Sequence, residues 1–159
     1  MKISVIYQPE KFAGIPLNNK VSGPCSPIME GERIGLLINA PEVITFAEKA
    51  VFPVSGRYRL YARFFNQFHM LSNEIVLVAV DAERHIPYIG NMHNPEYQST
   101  PRKFLETDTG FEEKIVGGWF SYNLYAILEG LPHKSATYLV YAMIGDVKSN
   151  MVTVKLKRQ

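Results

Sequence analysis

Apolar and polar positions alternate in two similar stretches of the chain, which begin at Tyr58 and Tyr138. The first reads YRLYARFFNQFHMLSNEIVLV and the second reads YLVYAMIGDVKSNMVTVKL. In both, Tyr-x-x-Tyr-Ala is followed by a short polar interval, by Ser-Asn and by alternating aliphatic residues. Because successive side chains of a strand point to opposite faces of a sheet, each stretch predicts a β-hairpin. The predicted strands cover 56–65 with 73–80, and 137–144 with 150–157.

The two predicted hairpins differ in what they present on their outer face. In the first strand the face opposite Tyr58 carries a basic stripe with one aromatic residue, namely Arg57, Arg59, Tyr61 and Arg63. In the second hairpin the face opposite Tyr138 carries Leu139, Tyr141 and Met143. That set is too apolar for an open solvent face. We therefore expect it to be covered by the rest of the chain, by a second subunit or by another protein.

The remaining apolar segments predict further strands. They are expected at 2–8, in RIGLLINA (33–40), in EVITFAEKAVFPV (42–54), near 103–107 and from Gly117 to about 124. The stretch LYAILEGL could equally form one or two helical turns, ended by Gly130 and Pro132. Residues 81–114 are rich in Pro, His and amides, and predict a long excursion from the sheets.

A Tyr-bearing strand, a short turn, then Ser-Asn and alternating Val is similar to the last two strands of immunoglobulin-like β-sandwich domains. FPVSGRYRLYARF leads into the first copy much as such domains lead into their penultimate strand. The resemblance implies an all-β, immunoglobulin-like sandwich and leaves the function open, since such sandwiches host many roles. The chain departs from the antibody pattern because it has a single cysteine, Cys25, and its only tryptophan, Trp119, lies in the second half.

Two domain arrangements fit this repeat. In one, a first small sandwich unit covers 1–80, and a long loop followed by a second unit covers 81–159. In the other, a single domain 1–159 contains both hairpins. A sandwich of about 80 residues has a thin core and benefits from a neighbour.

Composition excludes several classes of function. Apolar residues make up 47% of the chain and charged residues 20%, which is an ordinary globular balance. The formal charge of +2 gives no reason to expect a nucleic-acid partner. No stretch approaches the ~18 apolar residues of a membrane span, and MKISVIYQPEKF is not a signal peptide. We therefore expect no membrane partner and, by default, a cytoplasmic protein.

Motifs for catalysis are missing from the sequence. Cys25 lies in GPCSP, which matches no local cysteine-protease signature. There is no Gly-x-Ser-x-Gly elbow and no glycine-rich phosphate loop. A metal-dependent enzyme is the weakest alternative and would use the 81–97 loop, with His85 and His93 near Asp81, Glu83 and Glu96. Since their spacing matches no tight motif, we expect a non-enzymatic protein without a cofactor.

Binding is the function class that the residues favour. HIPYIGNMHNPEYQ offers a mixture typical of adaptable contact loops, namely Tyr88, Asn91, His93 and Tyr97. The main hypothesis is a protein-interaction module, self-associating or binding another protein, that uses Tyr141, Met143 and this loop. The alternative is a carbohydrate- or small-ligand-binding sandwich that uses Trp119 as a stacking platform together with the same loop, although a core position is more usual for tryptophan. The stripe Arg57, Arg59 and Arg63 is a candidate for an anionic ligand.

Overall fold

The computed structural model describes residues 26–61, 75–91 and 114–159, which form an all-β structure with one short helix. The strands are β1 (Gly35–Asn39), β2 (Val43–Phe46), β3 (Pro53–Tyr61), β4 (Val76–Asp81), β5 (Pro87–Asn91), β6 (Ile115–Asn123), β7 (Ala136–Ile144), β8 (Val147–Lys148) and β9 (Val152–Arg158). The helix α1 (Leu124–Ile127) follows β6 directly. Its first turn is capped by Asn123, whose side chain accepts a hydrogen bond from the Tyr125 N–H.

The strands form two sheets. The three-stranded sheet has the order β1-β3-β6, and the six-stranded sheet has the order β2-β9-β7-β4-β5 with β8 paired to β7. All pairs are antiparallel except β2 with β9, which are parallel. Because β1 and β2 belong to different sheets, the chain crosses from one sheet to the other within Ala40–Glu42.

The core lies between the two sheets and is built from alternate positions of their strands. A single buried cluster contains residues from both sheets, from Leu36 on β1 to Leu156 on β9. On β7 the inward positions Tyr138, Val140 and Ala142 are fully buried, whereas the residues between them are only half-buried. The predicted alternation of this strand is confirmed. Burial of each large aliphatic side chain contributes ~1.5–3 kcal/mol.

Glycines beneath aromatic rings shape the three-stranded sheet. A Cβ added at Gly56 would lie 1.9 Å from Cζ of Phe120, and one added at Gly118 would lie 2.5 Å from the Tyr58 hydroxyl. The Phe120 and Tyr58 rings therefore occupy the space that any larger residue at these glycines would need. Phe120 also stacks on Tyr122, with ring centroids 5.2 Å apart.

Asn150 connects the two sheets through the backbone of Ile38. Its Oδ1 accepts from the Ile38 N–H at 2.8 Å, and its Nδ2 donates to the Ile38 carbonyl at 3.1 Å. Ser149 holds the turn in place, since its Oγ accepts from the Ala142 N–H and donates to the Asn150 carbonyl. The Ser-Asn pair of the second copy therefore stabilises the sandwich. Ser72 and Asn73, its counterparts in the first copy, lie outside the described residues.

Of the two predicted hairpins, one is confirmed and one is wrong. The strands β7 and β9 pair antiparallel as expected. In contrast, β3 pairs with β1 and β6, while β4 pairs with β5 and β7, so the strands of the first copy lie in different sheets. The prediction fails because alternation specifies which face of a strand is buried and does not name the neighbouring strand.

Other predicted elements compare as follows. The strands predicted within 33–40 and 42–54 are confirmed by β1, β2 and the start of β3. The helical turn that could follow β6 is present as α1. The strand β5 lies inside the region that the composition predicted as an excursion. Predictions at 2–8 and 103–107 fall outside the described residues. Both sheets contain strands from either side of residue 80.

Candidate functional site

The outward face of the six-stranded sheet carries a continuous group of apolar side chains. In the strand register Val78 lies between Ile89 on β5 and Tyr141 on β7. Val76 and Val80 extend this row along β4, and they pair with Met143 and Leu139. We call this set the apolar face; its members are Val76, Val78, Val80, Ile89, Leu139, Tyr141 and Met143.

Val78 lies at the centre of the apolar face and is buried although it points outward. It points away from the core cluster, since its neighbours Leu77 and Ala79 are the inward residues of β4. Even so, it is only 4% exposed, whereas Ile89 beside it is 64% exposed. The strand β4 thus has buried aliphatic side chains on both faces, which is typical of strands covered on both sides.

The two flanks of the apolar face differ in charge. On one flank, Lys155 and Lys157 occupy outward positions of β9, and Lys148 of β8 places its Nζ 4.1 Å from the Tyr141 ring centroid. The opposite flank is the strand β5, whose outward residues Pro87, Ile89 and Asn91 carry no charge. None of the outward positions on the strands of this sheet holds a carboxylate.

The outer face of the three-stranded sheet is organised differently, because its cations contact their own chain. The Arg57 guanidinium lies 5.0 Å from the Trp119 ring centroid, on the neighbouring strand β6. Arg59 donates from Nη1 to the Gly31 carbonyl. Arg63 lies outside the described residues. The predicted outward direction of Arg57 and Arg59 is confirmed, and both side chains are engaged within the molecule.

The core reading of Trp119 is wrong. Its side chain points outward from β6 and is 38% exposed, because the inward positions of this strand are Phe120 and Tyr122 to one side and Gly118 to the other. In a strand, neighbouring side chains point to opposite faces, so an inward Phe120 indicates an outward Trp119. The general preference of tryptophan for the core led to the wrong expectation.

The residues proposed for a sugar site lie apart. Tyr88 faces inward from β5 and packs on Tyr138, with ring centroids 6.2 Å apart, whereas Trp119 lies on the outer face of the other sheet. Asn91 ends β5 and is exposed. His93 and Tyr97 lie outside the described residues. The structure does not bring Tyr88 and Trp119 together.

Three tyrosines in or beside the core have raised pKa values, and none of their hydroxyls is suited to act as a base. Burial raises the pKa of Tyr122 and of Tyr125 to about 12, and it raises the pKa of Tyr138 further. The Tyr125 hydroxyl donates to the Pro132 carbonyl at 3.2 Å. In the described part of the chain the Tyr138 hydroxyl has no hydrogen-bond partner. All three hydroxyls stay protonated at neutral pH.

Of the proposed metal ligands, Asp81, Glu83 and His85 lie at the end of β4 and in the turn that follows it. Asp81 is buried, and its Oδ1 accepts from the Glu83 and Arg84 N–H groups at 3.0 Å. The Arg84 N–H, assisted by that of Glu83 and by the positive charges of Arg84 and Lys134, lowers the pKa of Asp81. His85 ends this turn with a positive φ of 59°. Residues 26–61, 75–91 and 114–159 contain no group of three or more His, Cys, Asp or Glu placed to hold a metal, and His93 and Glu96 lie outside them.

Sequence reasoning found Leu139, Tyr141 and Met143 but missed the β4 and β5 members of the apolar face. The available signal was the run IVLVAV at 75–80, which is too uniformly aliphatic for a strand with one solvated side.

The chain matches no protein-family model, no curated protein and no solved structure. In the described ranges, no helix has both the length and the apolar character needed to cross a membrane.

Proposed function

We propose that this protein is an immunoglobulin-like, non-enzymatic interaction module that pairs with a second copy of itself through the apolar face. The observation that carries this proposal is the outward row Ile89–Val78–Tyr141, continued by Val76, Val80, Leu139 and Met143. Contiguous apolar patches of a few hundred Å² on a protein surface often mark interaction sites.

The strand order supports the immunoglobulin-like assignment. Such domains place strands A, B and E in one sheet and G, F and C, with an added C′ in variable-type domains, in the other. The orders β1-β3-β6 and β9-β7-β4-β5 match A-B-E and G-F-C-C′. A counterpart of strand D is missing from the described residues. The arrangement with one sandwich within 1–159 is supported by the strands that each sheet draws from both sides of residue 80.

The distribution of charge favours a second copy as the occupant of the apolar face. A two-fold axis parallel to β7 would place the lysine flank of one copy, on β9, over the uncharged β5 flank of the other. The aliphatic centres would then meet each other, and no lysine would oppose a lysine. Closed two-fold pairs of this kind are the most common protein assemblies.

The size of the face sets the expected strength of the pair. With strands ~4.8 Å apart and ~3.4 Å per residue, the three strands that carry the face, each over about six residues, span a flat area of ~300 Å². A stable interface of standard size buries ~800 Å² per partner. The face alone therefore predicts a weak dimer whose population depends on concentration.

Sedimentation velocity over a concentration series tests the proposal. We expect wild-type protein to dimerise in the range of ~10 µM to ~1 mM. Ile89→Glu, at an exposed position of the face, and Tyr141→Glu should each raise the dimer dissociation constant at least ~10-fold, because a carboxylate would be buried against aliphatic residues.

Ile115→Glu is the matched control, since Ile115 is 50% exposed on the outer side of β6 in the other sheet. It should leave the dissociation constant unchanged within ~2-fold. A wild-type chain that stays monomeric throughout the series would overturn the self-association proposal, as would an equal effect of Ile89→Glu and Ile115→Glu.

A further inference from the structure

A small basic cleft lies at one end of the six-stranded sheet, away from the centre of the apolar face. It forms where β4 ends, β7 begins and β9 ends, and it has a volume of about 260 Å³. Its charged lining consists of Arg84, Lys134, Lys155 and Lys157 together with Asp81 and Glu83. Three separate parts of the chain therefore bring cations to one place.

Positive charge exceeds negative charge in this lining, with four cations against two carboxylates. One of the carboxylates is already engaged, because Oδ1 of Asp81 accepts two backbone N–H groups. A recess lined by charges of predominantly one sign attracts an ion of the opposite sign.

The backbone around the cleft is held by hydrogen bonds between its walls. The Ala82 N–H donates to the Thr137 carbonyl at 2.9 Å, which ties the β4–β5 turn to β7. The Arg158 N–H donates to Oγ of Ser135 at 2.9 Å, which ties the end of β9 to the segment before β7. Since this bond uses Oγ as an acceptor, the Ser135 hydroxyl hydrogen remains available to a ligand. Thr137 and Lys155 are register partners and present their side chains on the same side.

The chemistry of the lining selects the class of ligand. Lysine ammonium groups are compact point charges with three donors each, and with hydroxyl donors they suit the several oxygens of a phosphate. A cleft of this volume is smaller than the ~300–1,000 Å³ of sites for drug-sized ligands, so it fits a small anion and not a large one.

We propose that this cleft binds a phosphate-class anion of two or more negative charges, either free in solution or carried on a lipid headgroup. The inference goes beyond self-association; the cleft shares Lys155 and Lys157 with the lysine flank of the apolar face, and the two proposals are tested separately.

Calorimetric titration of the full chain with inorganic pyrophosphate tests the site, at a protein concentration below the dimerisation range. We expect saturable binding with a dissociation constant of ~1 mM or tighter. Lys134→Gln combined with Lys157→Gln should weaken binding at least ~10-fold, because two charge-assisted hydrogen bonds are removed.

The matched control is Arg33→Gln combined with Lys49→Gln, which removes the same net charge from exposed residues outside the cleft lining and outside the apolar face. It should change the dissociation constant by less than ~2-fold. Wild-type protein that shows no saturable binding of pyrophosphate would overturn the proposal, and so would equal weakening by the two double variants. Backbone amide shifts at Ala82 and Thr137 on titration would place the anion in the cleft independently.

A second arm identifies the source of the phosphate. Vesicles of phosphatidylcholine with and without a phosphoinositide are sedimented with wild-type protein and with both double variants. Cosedimentation that needs the phosphoinositide and is lost only in the Lys134/Lys157 variant assigns the site to a lipid headgroup. Pyrophosphate binding without cosedimentation assigns it to a free anion.

Discussion

The two sheets cover one core but treat their outer faces in opposite ways. The three-stranded sheet turns Arg57, Arg59 and Trp119 outward, and these residues contact their own chain through a stacked ring and a backbone carbonyl. The six-stranded sheet turns aliphatic residues and Tyr141 outward, with lysines on one flank only. Contacts within the chain thus engage the outer face of the three-stranded sheet, whereas the outer face of the six-stranded sheet is the one that we propose as a contact surface.

The inner faces differ as well. In the three-stranded sheet the small inward residues are glycines, Gly56 and Gly118, and the rings of Phe120 and Tyr58 lie across them. In the six-stranded sheet the inward Ala79 and Ala142 are fully buried, and the inward Gly90 of β5 lies against α1, where an added Cβ would be 2.4 Å from the Ile127 carbonyl oxygen. Both sheets therefore have inward positions without a Cβ, where the space is filled by aromatic rings in the three-stranded sheet and by the backbone of α1 in the six-stranded sheet.

The largest expected loss of stability is at the glycine beneath the Phe120 ring. Gly56→Ala should destabilise the fold by ~2–4 kcal/mol, because its methyl group would displace the buried Phe120 ring. Gly117→Ala is the matched control on the same sheet, since its Cβ would meet the Tyr58 carbonyl at 3.3 Å and the Arg59 side chain at 3.6 Å. It should cost less than ~1 kcal/mol. Urea unfolding measures both, and equal losses would refute the role given to the ring.

A somewhat smaller effect is expected at the contact between the sheets. Asn150→Ala should cost ~2 kcal/mol, because it removes both hydrogen bonds to Ile38 and leaves the backbone groups of a buried residue without them. Asn91→Ala, at the exposed end of β5, should stay within ~0.5 kcal/mol. If the two variants unfold at the same urea concentration, Asn150 does not join the sheets in the way described.

The smallest expected change in stability concerns two tyrosine hydroxyls, one without a hydrogen-bond partner and one with a partner. Tyr138→Phe should change stability by less than ~1 kcal/mol and can stabilise, because a buried hydroxyl without a partner is removed. Tyr125→Phe should instead cost ~1 kcal/mol, since its hydroxyl donates to the Pro132 carbonyl. Thermal unfolding of both variants provides the test. A larger loss for Tyr138→Phe than for Tyr125→Phe would contradict this assignment.

Predictability from the sequence differed between the two copies of the Tyr-x-x-Tyr-Ala pattern. For the second copy, alternation predicted the strands, their pairing and the outward Leu139, Tyr141 and Met143. For the first copy, it predicted the inward Tyr58 and the outward arginines but assigned the wrong partner strand. The difference arises because the connection from β7 to β9 stays beside β7, with β8 paired to it, whereas β3 and β4 lie in different sheets.

The basic cleft could not be predicted at all. Its cations come from the β4–β5 turn, from the segment before β7 and from the end of β9, which are distant along the chain. No short motif contains Arg84, Lys134 and Lys157 together. The β4 and β5 members of the apolar face were missed for the same reason, since only the register places Val78 between Ile89 and Tyr141.

By itself, the sequence determined that the protein is built from strands and which side of each strand is apolar, because alternation is local and follows from the geometry of a single extended chain. Only the tertiary structure decided which strands pair, which residues share an outer face, and where separated cations meet. Those features depend on the order of strands in the sheets, and that order results from the packing of the whole core.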